Sequence, residues 1–78
     1  MTTRVVQEPF ALALTVNGEQ RQAAPGTTLA SFLSELSLNP RIVVVEHNRT
    51  ILRDRDSYGS LTLADGDVLE IVHFVAGG

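Results

Sequence analysis

One helical stripe limits what this chain can fold into. Leu29, Phe32, Leu33 and Leu36 stand at i, i+3, i+4 and i+7, a single apolar face on an otherwise polar helix. Thr27-Thr28 before the stripe offers an N-cap. Ser31, Ser34 and Glu35 fall on the outer side. Asn39-Pro40 is expected to stop the helix, because the residue before a proline disfavours the α region. One amphipathic helix needs one apolar surface to cover. The rest of the chain supplies it as strands.

Leu12, Leu14 and Val16 alternate with Ala13 and Thr15, the pattern of a half-buried strand. Asn17-Gly18 follows, a strong hairpin signal because both positions tolerate positive φ. A short polar return, Glu19 to Ala23, suits a sheet edge, and Pro25-Gly26 ends it. After the helix, Ile42-Val43-Val44-Val45-Glu46 is the clearest strand, β-branched enough to be covered in part on both faces. His47-Asn48-Arg49 reads as a turn and Thr50-Ile51-Leu52 as a brief strand. Arg53-Asp54-Arg55-Asp56, continued by Tyr58-Gly59-Ser60, reads as a solvated loop. Leu61-Thr62-Leu63 re-enters the core. Asp65-Gly66-Asp67 then turns into the last strand, Val68-Leu69-Glu70-Ile71-Val72.

A hairpin, one helix, two strands, a loop and a final strand predict an α+β fold with the helix across one face of a mixed sheet. With the first and last strands central and parallel, this is the β-grasp, or ubiquitin-like, arrangement. The expected core is Leu14, Val16, Leu29, Phe32, Leu33, Leu36, Val43, Val45, Leu63, Leu69 and Ile71. Seventy-eight residues leave room for one domain. The expected layout is a flexible leader over residues 1–11, the domain over 12–74 and a flexible tail over 75–78.

Composition excludes several functions. The net charge of −3, with six Arg and no Lys, argues against nucleic acid or an anionic membrane as partner. Cys is absent, so disulfides, thiolate metal sites and cysteine nucleophiles are ruled out together. No apolar run reaches the ~20 residues that span a bilayer. The N-terminus lacks the apolar stretch of a secretory signal, which makes the cytosol the expected location. His47 and His73 show no metal spacing. Ser57 and Ser60 near Asp54 or Asp56 lack any nucleophile motif, and no phosphate loop is present.

The chain closes on Phe74-Val75-Ala76-Gly77-Gly78. An extended Gly-Gly backbone can enter a slot too narrow for any Cβ and carry its α-carboxylate to the bottom. A frayed end of small residues is the plain alternative. Along the last strand, side chains alternate. Leu69 and Ile71 are expected toward the helix, and Glu70, Val72 and Phe74 on the other face beside Val44. That exposed patch, next to the tail, reads as a docking surface, against ordinary scatter of apolar residues on a surface.

With these residues in hand, a family resemblance emerges. Val16-Asn17-Gly18-Glu19, Val43-Val44-Val45-Glu46, Asn48, Thr50-Ile51-Leu52, Asp65-Gly66-Asp67 and the strand that runs on to Gly77-Gly78 resemble the ThiS family, sulfur carriers of thiamine biosynthesis. The likeness covers roughly residues 12 to 78. Arg49 departs from it where a turn glycine is common, Arg53 where proline is, and Ala76 where a third glycine is.

The resemblance implies a carrier that is no enzyme and binds no cofactor or metal itself. It implies a ThiF-like adenylyltransferase that spends ATP, with Mg, to adenylate Gly78. A cysteine desulfurase or other donor would supply sulfur to form a thiocarboxylate, and thiazole synthase would receive that sulfur. Ala76 and Gly77 would form the tail, and Val44, Glu70, Val72 and Phe74 the docking surface of a free monomer. Two alternatives stay open at this level: a sulfur carrier of molybdopterin synthesis, and a ubiquitin-like protein modifier. The absence of proline in Val72-His73-Phe74-Val75 favours thiamine over molybdopterin.

Overall fold

The computed structural model of this chain describes residues 11–73. Most of the leader expected over residues 1–11, the expected docking residue Phe74 and the expected tail over 75–78, with Ala76, Gly77 and Gly78, lie outside that range.

Five strands form one mixed sheet in the order β2-β1-β5-β3-β4: β1 is Leu12–Val16, β2 Glu19–Ala23, β3 Val43–His47, β4 Thr50–Leu52 and β5 Val68–His73. The helix α1, Leu29–Glu35, covers one face. β1 and β5 are parallel and adjacent; every other pairing is antiparallel. This is the β-grasp expected from the element order. Its last strand takes the middle place because the crossover through α1 carries the chain to the far side of the first hairpin and leaves a gap beside β1.

The core lies between α1 and the inner faces of the strands. Leu14, Val16, Leu29, Phe32, Leu33, Val43, Val45, Leu63, Leu69 and Ile71 are buried as expected, and Ala23 joins them. Leu36, also expected there, is only partly buried and packs at the rim. Burial alternates along β5: Leu69 and Ile71 are covered while Val68, Glu70 and Val72 are exposed. Val68 to Val72 obey the period-two rule, and His73 at the end of the strand is exposed as well.

Three expectations need correction. The helix does not run to Asn39-Pro40. It ends at Leu36, where Ser37 takes the left-handed conformation (φ 60) and the Leu38 N–H bonds back to the Leu33 carbonyl at 2.8 Å. With the Ser37 N–H on the Ser34 carbonyl, this is a Schellman end built on serine instead of glycine. It brings Leu38 onto the core, and that contact outweighs the mild backbone cost. Asn39 instead caps a 3-10 turn, Pro40–Ile42, by accepting from the Arg41 N–H at 2.8 Å. Ile42 thus belongs to that turn and stands half-exposed, so β3 begins one residue later than expected.

Tyr58 is the third correction. It does not sit in a solvated loop: its side chain is 2% exposed and its hydroxyl donates to the Leu52 carbonyl at 3.3 Å. A 3-10 turn, Arg55–Ser57, capped by Asp54, lowers it into the core. Its own carbonyl accepts from the Ala30 N–H, so the loop is stitched to the start of α1.

The N-terminus of α1 is satisfied by a reciprocal cap. Thr28 Oγ1 accepts from the Ser31 N–H at 3.1 Å, and Ser31 Oγ accepts from the Thr28 N–H at 3.0 Å.

Candidate functional site

The chemistry expected of this chain lies at its C-terminus, so what the described residues offer is the base on which that terminus is mounted. That base is β5. It enters through Asp65-Gly66-Asp67, and each residue of the turn has a separate task. Asp65 Oδ1 accepts from the Ala13 N–H at 2.7 Å, which ties the turn to the start of β1. Gly66 takes φ 90, where an L-side chain is strained, and its N–H donates to the Ala13 carbonyl at 2.7 Å.

Asp67 turns inward and is buried. Its Oδ2 accepts from the Ala64 N–H at 2.8 Å and from His47 Nε2 at 2.9 Å, and its Oδ1 from Asn48 Nδ2 at 3.0 Å. Burial by itself would push this carboxyl up. The hydrogen bonds from Ala64, Asn48 and His47, with the charge of His47, outweigh that and hold it below its usual value. The carboxylate therefore stays ionised and locks β5 to the turn between β3 and β4.

Two asparagines grip β5 from opposite sides. Asn48 Oδ1 accepts from the Val68 N–H at 2.8 Å, and the Asn48 N–H donates to the Val68 carbonyl at 2.8 Å. On the β1 side, Asn17 Oδ1 accepts from the Ile71 N–H at 2.7 Å while Asn17 Nδ2 donates to the Ile71 carbonyl at 3.1 Å. Sequence reasoning reads Asn17 and Asn48 as turn residues and Asp67 as part of a turn signal. Their contacts with β5 escape it, because the partners are 54 residues away for Asn17 and about 20 for Asn48. The one available hint is that asparagine opens both turns.

The outer face of the sheet gathers the expected docking residues that are described. Val44 lies directly opposite Val72, and Glu46 opposite Glu70. Val72 is 61% exposed, Glu70 is exposed and Val44 half-buried. Ile51, opposite Glu46 on β4, extends the apolar surface. Phe74, Ala76, Gly77 and Gly78 lie outside the described residues. Among the described residues no helix is long and apolar enough to cross a membrane.

A central last strand, parallel to the first and held on both edges, defines a β-grasp protein of the ubiquitin-like class. The sequence model of the ThiS family matches residues 14–78. The chain is 39% identical over 66 residues to the sulfur carrier protein ThiS of Bacillus subtilis, a match that covers 83% of this chain and 98% of that one. It belongs to the ThiS family.

The crystal structure of the thiamine biosynthesis protein ThiS from Geobacter metallireducens superimposes with a TM-score of 0.73 at 33% identity, covering 86% of this chain and all of that one. The solution structure of a thiamine biosynthesis protein from the same organism gives 0.69. The chain also matches thiazole synthases of Magnetococcus marinus, 41% identical over 63 residues, and Paramagnetospirillum magneticum, 40% over 67. It spans about a fifth of the length of those enzymes, 19% and 20%. Between the two kinds of sulfur carrier, the comparisons fall on the thiamine side.

Proposed function

We propose that this protein carries sulfur for thiazole formation on the C-terminal carboxyl of Gly78. The observation that carries the reading is the family match, which runs through Gly77-Gly78 to the last residue. A free carboxylate is a poor acyl donor, since resonance and negative charge repel nucleophiles. Adenylation by a ThiF-like partner, from ATP with Mg, turns it into a mixed anhydride with AMP as leaving group. The persulfide of a cysteine desulfurase attacks the acyl carbon and expels AMP, and two-electron reduction of the resulting acyl disulfide by a thiol releases the thiocarboxylate. Another donor, at the oxidation level of sulfide, displaces AMP and gives it directly. Thiazole synthase takes that sulfur. The presence of a segment similar to this chain inside two thiazole synthases supports this recipient. In this reading the catalytic groups belong to the partners, and the chain is their co-substrate.

The outer sheet face is the docking surface, with Val44, Glu70, Val72 and Phe74 beside the tail. An exposed apolar patch next to the group to be delivered lets binding orient the reactive end.

The test is ATP–pyrophosphate exchange with the adenylating partner, followed by intact mass after sulfur transfer. Wild type should gain the mass difference between sulfur and oxygen on its C-terminal peptide. One residue appended after Gly78 displaces the carboxylate by ~3.3–3.6 Å and should abolish exchange, since ~1 Å can already cost 100-fold. An extended chain adenylated as fast as wild type would sink the reading. Val72→Ser should weaken the complex with the partner and leave the melting temperature within about a degree or two, because exposed positions contribute little to stability. Unchanged affinity would remove this face from the docking surface.

A further inference from the structure

β5 outruns its parallel neighbour. β1 pairs with it only at Thr15↔Val68 and Val16↔Leu69, then turns back at Asn17-Gly18. Backbone groups along a strand point alternately to its two neighbours. On the β1 side, the Asp67 carbonyl accepts from the Thr15 N–H at 3.0 Å and the Leu69 carbonyl from the Asn17 N–H at 2.9 Å. Ile71 is next in that series, and no peptide of β1 remains to meet it.

The Asn17 side chain takes the missing place. A carboxamide has one face that donates and one that accepts, like a peptide unit. Asn17 bonds both the N–H and the C=O of Ile71, so it continues the ladder by one rung beyond the end of β1. Past that rung, His73 borders a shallow hollow of ≈ 280 Å³ lined also by Arg21, Leu36 and Leu38. Without the amide, the N–H and C=O of Ile71 would have no strand partner on this side, a costly state for half-buried backbone.

We propose that Asn17 is a positioning residue for the reaction at the C-terminus: its amide sets the last rung on the β1 side of β5, and so the point from which the reactive end is presented. The inference rests on the carrier reading above. With the amide gone, the anchor on this side retreats from Ile71 to Leu69. Val72, which lies in the docking face and stays paired with Val44 on the β3 side, loses its support from the β1 side. A partner must then order the strand end on binding, which costs affinity. Once the end is seated, the partner's own slot sets the geometry of the carboxyl. The expected signature is a raised KM for the carrier at nearly constant kcat.

The variant is Asn17→Gly, because glycine keeps the positive φ of the turn while the side-chain amide is lost. Asn48→Gly is the control, since it deletes the same side chain from the sister turn. Amide hydrogen exchange at Ile71 should accelerate roughly tenfold or more in Asn17→Gly, with Leu14 protected as before. KM for the carrier in pyrophosphate exchange should rise by about three- to tenfold, and in Asn48→Gly by clearly less. Asn17→Asp keeps the acceptor for the Ile71 N–H and loses the donor, so it should fall between wild type and Asn17→Gly in both readouts; it also serves if the glycine variant does not fold. Unchanged exchange at Ile71, or equal KM in Asn17→Gly and Asn48→Gly, overturns the proposal. A wild-type protein that is not adenylated overturns the carrier reading and the positioning role with it, whereas the exchange data still judge the clamp.

Discussion

The turns at Asn17-Gly18 and at Asn48-Arg49 are one device built twice. Each joins two antiparallel strands through two residues, and all four residues have positive φ: 50 and 83 in the first, 49 and 73 in the second. In each, the asparagine side chain reaches β5, from opposite edges of that strand. They differ in what surrounds the grip. Asn17 meets bare backbone at Ile71. Asn48 meets the Val68 N–H and also the buried carboxylate of Asp67, with His47 beside it. They differ as well at the second position, where glycine takes the left-handed conformation freely and arginine takes it under strain. The first turn is thus locally comfortable and contributes one amide to the end of β5. The second is locally strained and holds the start of β5 through a charged cluster. A backbone conformation can be repeated in one molecule while its stability is drawn from different sources.

The largest expected break in this comparison is Asp67→Ala. It leaves the Asn48 amide, His47 and the Ala64 N–H without their acceptor, and should cost about 3 kcal/mol in urea unfolding at neutral pH. The same carboxylate makes the second turn sensitive to acid. Its pKa in the folded protein lies below the usual 3.8, so its contribution is complete above that value and is lost as pH falls through the lower, folded pKa. Within that window the unfolded chain takes up a proton that the folded protein refuses, and stability drops. Asp67→Asn should flatten this limb of the stability profile, and a profile that matches wild type there would show the cluster to be incidental.

Gly18→Ala comes next. Nothing lies within 4 Å of a Cβ at Gly18, so its cost is conformational alone, about 1 kcal/mol after the gain from a stiffer unfolded chain. It makes the first turn as strained as the second. Arg49→Gly is the smallest change and has the opposite sign. It relieves φ 73 and should stabilise the fold by about 0.5 kcal/mol, the strain released less the entropy that glycine adds to the unfolded state. A thermal melt of the pair decides the matter: if both substitutions destabilise, Arg49 makes a contact in the fold that offsets its strain.

The line between what is local and what is not runs through particular residues. The stripe of Leu29, Phe32 and Leu33, the alternation along β1 and β5, and Asn17-Gly18 were legible in the sequence because each obeys a short-range period or a turn rule. So was the parallel central pair, since one helix between a hairpin and the remaining strands leaves few other topologies. Val44 and Val72 could be placed on one face for the same reason: the side-chain period of a strand is two, and register carries it across to the neighbour. The terminal Gly-Gly and the Asp65-Gly66-Asp67 turn, at their fixed distance, also spoke directly of the family.

Tertiary structure decided the rest. Ser37 ends the helix ahead of the proline because Leu38 gains a place on the core, a benefit no local rule contains. Tyr58 sits in a polar stretch and is nevertheless buried, because the 3-10 turn at Arg55–Ser57 turns it inward and its carbonyl is bonded to the start of α1 at Ala30. Arg49 accepts the glycine conformation because Asn48, one residue earlier, is held by Asp67 and Val68. Asn17 reads as a turn residue until β5 arrives beside it. By itself the sequence determined which segments are strand and helix, which faces are apolar and what the chain ends in. Only the folded chain decided what holds β5 in its central place, because those bonds join groups that the sequence keeps far apart and whose pairing depends on register.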